Sequence, residues 1–281
     1  MTTNTALPVL PELFPIWQQT LHWQPDPQQQ QQFQHLYQRI WIANQTLNLT
    51  RITQPKEFWE KHLWDSLRGI VGFLEGMGTI QNPGRERSEQ PFRVIDIGTG
   101  AGFPGTPIAI ARPDWNVTLL DSTRKKIAFL QTLLAISDLD NIIPLIGRAE
   151  HIGRQSYHRG TYDLALVRAV GTAAVCAEYA FPLLKVGGLA VLYRGQWSAD
   201  DTTALKPVVE KLSGTLETVE AFTTPLSQSQ RHCLYLRKVA SGNSLPSSTT
   251  VEEADEYGRM QKVEGRTQNA EGRGQNTEGR G

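Results

Sequence analysis

The sequence predicts an α/β fold: a mostly parallel seven-stranded sheet with an antiparallel last strand, preceded by N-terminal helices. Two observations carry this. From residue 92 onward, short apolar runs alternate with helix-length amphipathic segments, and such alternation buries a parallel sheet under helices on both faces. The last two apolar runs are separated by too few residues for a helical crossover, so they pair as an antiparallel hairpin.

In order, apolar residues at helical spacing predict a helix over 33–49, carried by Phe33, Leu36, Tyr37, Ile40 and Trp41. A second helix over 55–74 presents Phe58, Trp59, Leu63, Leu67, Ile70 and Leu74 on one face. Residues 76–91 contain Asn82-Pro83-Gly84 and a mixed-charge run, and read as a linker. Strands are then expected at 92–97, 117–121, 142–146, 164–167 and 189–193, with helices at 104–111, 123–137 and 173–184. The hairpin comprises 215–221 and 232–238.

Four regions follow: a flexible N-terminal lead-in (1–27), a helical extension with the linker (28–91), the α/β domain (92–240), and a repeat tail (241–281). The lead-in is rich in Pro and polar residues and runs into Gln28–Gln32. The tail repeats Glu-Gly-Arg every seven residues, at Glu264, Glu271 and Glu278. No apolar residue occupies a seam in that repeat, so disorder is expected rather than a coiled coil.

Composition excludes several classes. Apolar residues make up 39% of the 281, and no run approaches the roughly 18 needed to span a bilayer. The N-terminus lacks a basic segment followed by an apolar core, so a cytoplasmic location is expected. The two cysteines, Cys176 and Cys233, have no neighbouring ligand cluster and read as buried apolar residues, with no metal expected. Net charge is zero, but residues 93–240 carry 16 Lys+Arg against 13 Asp+Glu. That mild basic bias is compatible with phosphate contacts.

The chemistry-bearing segment is Asp96-Ile97-Gly98-Thr99-Gly100-Ala101-Gly102, at the carboxyl end of the first strand, where open α/β sheets bind ligands. An acidic residue followed by alternating glycines resembles the first motif of Rossmann-like class I methyltransferases. Gly100-Ala101-Gly102-Phe103-Pro104-Gly105 also fits the Gly-x-Gly-x-x-Gly of dinucleotide-binding oxidoreductases, although it falls late relative to the strand. Asp121, ending the second strand, is placed to accept both hydroxyls of an adenosine ribose, or to cap the next helix. Ala149 and Glu150 follow the third strand, where this fold reads an adenine edge. Strand four ends in Arg168 rather than the Asn/Asp-Pro-Pro-aromatic motif of many exocyclic-amine methyltransferases, which suggests a group that anchors an anion, either the cofactor carboxylate or a phosphate, or else a surface cation at a strand end.

Asn48-Leu49-Thr50, His62-Leu63-Trp64-Asp65-Ser66-Leu67, the run from Asp96 to Gly105, Leu119-Leu120-Asp121-Ser122 and Arg168-Ala169 together resemble the glucose-inhibited division protein B family. The resemblance runs in order from about residue 33 to 238. It implies transfer of a methyl group from S-adenosyl-L-methionine to N7 of a guanine in 16S rRNA, free or in the small ribosomal subunit, by a monomer. It further implies cofactor contacts at Gly98, Phe103, Asp121, Ser122, Thr123, Ala149, Glu150 and Arg168, and no catalytic base. His62, Asp65 and Ser66 are a family hallmark; His62 and Asp65, three apart, also fit a pair that docks their helix on the core. A non-catalytic ribosome-assembly role remains the alternative outside enzymes.

Overall fold

A computed structural model describes residues 7–74 and 91–240 of the chain. Nearly all of the expected linker and the whole repeat tail lie outside those residues. Seven strands form one sheet in the order β3-β2-β1-β4-β5-β7-β6. They are β1 (Phe92–Ile97), β2 (Trp115–Asp121), β3 (Ile142–Ile146), β4 (Tyr162–Arg168), β5 (Leu184–Arg194), β6 (Gly214–Thr223) and β7 (Gln230–Lys238). β1 to β5 pair in parallel, and β7 runs antiparallel to both β5 and β6. The carboxyl ends of β1 to β5 therefore share one edge.

Side chains alternate across each strand and feed two cores. Val94, Leu119, Leu164, Leu166 and Val191 face one side, with the N-terminal helices, α6 (Gly105–Ala111) and α7 (Arg124–Leu134). Ile95, Leu120, Ala165, Val167 and Leu192 face the other. There they meet α8 (Ala149–Ile152), α9 (Ala173–Ala180) and α10 (Ala199–Lys211). Cys176 and Cys233 are buried, free thiols on opposite sides of the sheet.

The N-terminal region departs from the expected flexible lead-in. Residues 14–21 form α1 (Phe14–Leu21), and its Trp17 is 1% exposed. That indole packs edge-on to Trp59 at 4.6 Å and stacks with Phe33 at 6.3 Å. Aromatic burial on this scale outweighs the proline-rich composition around it. The glutamine run belongs to α2 (Pro27–Leu47), opened by Pro27 and by a reciprocal cap between Asp26 and Gln29. Gln29 also donates to the Ile110 carbonyl, and Gln34 binds Leu10 N and Pro8 O, so these amides stitch α2 to its surroundings.

The helix expected over 55–74 is divided. α3 (Pro55–Phe58) leads into a π-helical turn, Trp59–Trp64, then α4 (Asp65–Arg68) and, past Gly69 and Ile70, α5 (Val71–Leu74). The break follows from a close approach: a Cβ on Gly69 would lie 2.2 Å from the Tyr193 hydroxyl, which donates to the Ser66 carbonyl at 2.7 Å. α10 has no counterpart in the sequence pattern, because Pro207 interrupts it and only Leu205 and Val209 are buried.

Candidate active site

The loop after β1 is shaped by glycine. Gly98, Gly100 and Gly102 have φ of 74°, 62° and 99°, where side chains are strained. At Gly98 a Cβ would also sit 2.5 Å from Val170 Cγ2, so the β1 and β4 loops touch there. The amides of Gly98 and Thr99 both donate to the Leu120 carbonyl, at 2.8 and 3.0 Å.

Asp96 braces this loop from below. Its Oδ2 accepts from Thr99 Oγ1 at 2.6 Å and from Gly105 N at 2.8 Å. Asp96 is fully buried and its Oδ1 has no partner. Burial pushes its carboxyl up to about 6, against the lowering effect of the two hydrogen bonds and of Arg168.

Asp121 is the corresponding brace at the end of β2, and it faces a cavity. It is 5% exposed; Oδ2 accepts from Gly100 N at 3.0 Å and Oδ1 from Thr123 N at 2.8 Å. Lys126 Nζ approaches Oδ2 at 3.4 Å. The cavity, about 300 Å³, is lined by Gly98, Asp121, Ser122, Thr123, Ala149 and Glu150, with Ala169 and Val170 opposite. Glu150 is buried and held by Arg148. Size alone does not single this cavity out, since two others, of about 340 and 330 Å³, lie against α2. Neither of those is lined by a residue from the carboxyl ends of the strands. Among the described residues no group of three or more His, Cys, Asp or Glu could hold a metal ion.

Phe103 and Arg168 do not line the cavity. They belong to a neighbouring cluster built on the π-helical turn. His62 stacks on Phe103 with centroids 4.2 Å apart and planes 6° apart. Its Nε2 lies 2.9 Å from Thr50 Oγ1, while Nδ1 is buried without a partner. Burial holds the imidazole well below its usual range, helped by the charges of Arg168 and Lys61. Arg168 Nη1 donates to the Lys61 carbonyl at 2.9 Å and to Asp65 Oδ2 at 3.0 Å, with its guanidinium 5.9 Å from the Phe103 ring. The bond between Phe103 and Pro104 is cis.

The family model for rRNA small subunit methyltransferase G (GidB) matches residues 29–234. This chain belongs to that family. It is 58% identical over 233 residues to a Nostoc punctiforme protein named ribosomal RNA small subunit methyltransferase G, covering 83% of this chain and 92% of that one. A protein of the same name from Thermosynechococcus vestitus is 53% identical over 238 residues, covering 85% and 99%. Membership sets aside the dinucleotide-oxidoreductase reading of Gly100–Gly105.

Within this methyltransferase, six of the eight expected contact residues converge on one cavity, and the other two pin the N-terminal layer to the sheet edge. His62 and Asp65 do not pair with each other: each reaches a separate partner, Thr50 and Arg168. Ala169, read only as part of the Arg168-Ala169 motif, and Val170 both line the cavity without having been expected as contacts, because nothing in their chemistry marks them. The signal that could have found them is the length of β4, which ends one residue before Ala169.

Proposed function

We propose that this chain transfers the methyl group of S-adenosylmethionine to N7 of a guanine in 16S rRNA, in the cytoplasm where small subunits are assembled. The carrying observation is the Asp121 carboxylate, buried at a strand end and facing a cavity walled by the glycine loop and the β3–α8 turn.

These residues fit an adenosyl group. A carboxylate offers about four acceptor sites. In Asp121 two are taken by amides at 3.0 and 2.8 Å, and the 3.4 Å Lys126 contact is the weakest. Two ribose hydroxyls would displace Lys126 and leave the amides in place. Ser122 and Thr123 flank that carboxylate; on this reading Ala149 and Glu150 would meet the adenine edge and Gly98 the methionine end. Phe103 and Arg168 would reach the cofactor from the neighbouring cluster. When bound, the cofactor supplies a methyl group activated by a positively charged sulfur.

The chain's own work is then alignment. Guanine N7 carries a lone pair and no proton, so no base is required, and holding it in line supplies the rate enhancement. The acidic groups agree with that division of labour: Asp96 is sealed under the loop, Asp121 is committed to amides, and Glu150 is committed to Arg148. N7 lies in the deep, narrow groove of A-form RNA, so the target base must be in a loop or flipped from its stack. Mass mapping of 16S rRNA after reaction with the purified protein tests this. The expected product is 7-methylguanine at one position; a methyl on adenine or on an exocyclic amine would contradict it.

A further inference from the structure

The N-terminal helices meet the glycine loop at one pair of rings. Phe103 belongs to that loop: its amide donates to the Thr99 carbonyl at 2.9 Å, and two residues on, Gly105 N is held by Asp96. The Phe103 ring is buried, and two rings of the N-terminal layer cover it. Phe58 meets it edge-on at 5.6 Å, and His62 lies flat against it at 4.2 Å.

His62 itself has a fixed base. Arg168 grips the backbone and side chains of the same π-helical turn on either side of it, through the Lys61 carbonyl and Asp65 Oδ2. The rotation of the imidazole is keyed by Thr50, whose Oγ1 lies 2.9 Å from Nε2. Thr50 is held in turn: Ile52 N donates to its Oγ1 at 3.1 Å, and its own amide donates to Asn44 Oδ1, on α2, at 2.9 Å. Either neutral tautomer of His62 can make the Thr50 bond. The other ring nitrogen, Nδ1, is buried without a partner, which costs free energy that a phenyl ring in the same place would not. What the imidazole adds over a phenyl ring is therefore the Thr50 key. Against this fixed ring, the adaptable partner is the loop, whose Gly98, Gly100 and Gly102 all have positive φ.

We propose that His62 is a positioning residue for the cofactor: keyed by Thr50, it sets the plane of the Phe103 ring and with it the shape of the loop from Gly98 to Gly105. The inference rests on the reading of Phe103 as a cofactor contact and adds what holds that ring in place. It gives the N-terminal layer a part in cofactor binding, although none of its described residues lines the cavity. Stacked ring pairs of this kind change an equilibrium constant by about two- to tenfold, which sets the scale of the effect.

The test is a double-mutant cycle on the full chain, read as S-adenosylmethionine affinity in calorimetry. His62→Leu occupies the space without a flat face and should weaken binding about five- to tenfold. His62→Phe keeps a ring and should weaken it about twofold or less. Phe103→Leu should weaken binding about tenfold, and adding His62→Leu to it should cost less than about twofold more, because the ring to be positioned is gone. Should His62→Leu fail to fold, Thr50→Val carries the test. It removes the key and leaves both rings, and should cost about threefold in the wild type and nothing beside Phe103→Leu. Losses that multiply in the double variants would make His62 a packing residue and overturn the proposal. Equal losses in His62→Leu and His62→Phe would do the same. Unchanged affinity in Phe103→Leu would instead remove the underlying reading of Phe103 as a contact, and the proposal with it.

Discussion

Replacing Asp96 by Asn tests whether the loop is braced at an electrostatic cost. The Asn carbonyl oxygen can keep both bonds that Oδ2 accepts, from Thr99 and Gly105, so geometry is preserved while the buried charge is removed. In the wild type burial raises the carboxyl from 3.8 to about 6. Below the lower value Asp96 is neutral whether the chain is folded or not, and it contributes no pH dependence. Between the two values the unfolded chain ionises first, so stability falls as pH rises; above about 6 the full cost is present. A shift of that size corresponds to about 3 kcal/mol, of which about 2 kcal/mol develops between pH 4 and 8. Urea unfolding of both proteins across that range gives the stability difference at each pH. The wild type should lose about 2 kcal/mol relative to Asp96→Asn on going from pH 4 to pH 8. A flat difference, or one that moves the opposite way, would refute the reasoning.

Asp121→Ala removes the acceptor for two amides as well as for the ribose, and should weaken cofactor binding by roughly 3 kcal/mol, about a hundredfold, in calorimetry. Retained affinity would overturn the assignment. Gly98→Ala combines a φ of 74° with a Cβ 2.5 Å from Val170 Cγ2. It should weaken cofactor binding by about tenfold or more while circular dichroism shows the fold intact. Single-turnover methylation from pH 6 to 9 should lack a rise of one log unit per pH unit. Such a rise, abolished by replacing one Asp, Glu or His, would argue for an obligatory base and against N7.

The sheet and its cavity were readable because each rests on local pattern. Short apolar runs marked each strand, within two residues at either end except β5, which begins five residues earlier than expected, and the glycine run with Asp121 marked the strand ends where the cavity lies. What escaped was set by contacts distant in sequence. Trp17 is buried by Phe33 and Trp59, partners that no window around residue 17 contains. The π-helical turn has a helical apolar period, and its one extra residue is visible only once His62 meets Phe103 and Arg168 meets Asp65. Arg168 was expected to anchor the cofactor carboxylate or a phosphate, whereas in the structure it holds a carboxylate and a carbonyl of this chain, over a hundred residues away in sequence.

The reversed direction of β7 has a practical corollary. Its nine residues, Gln230–Lys238, begin at the edge that carries the carboxyl ends of β1 to β5 and take the chain about 30 Å to the far side of the sheet. There Lys238 is clamped onto the carbonyls of Phe181 and Leu184, each at 2.8 Å. Whatever is joined after residue 240 thus starts out at the end of the sheet opposite the cavity. A fluorophore or capture tag attached at that point would report on, or immobilise, this methyltransferase with its working face left open.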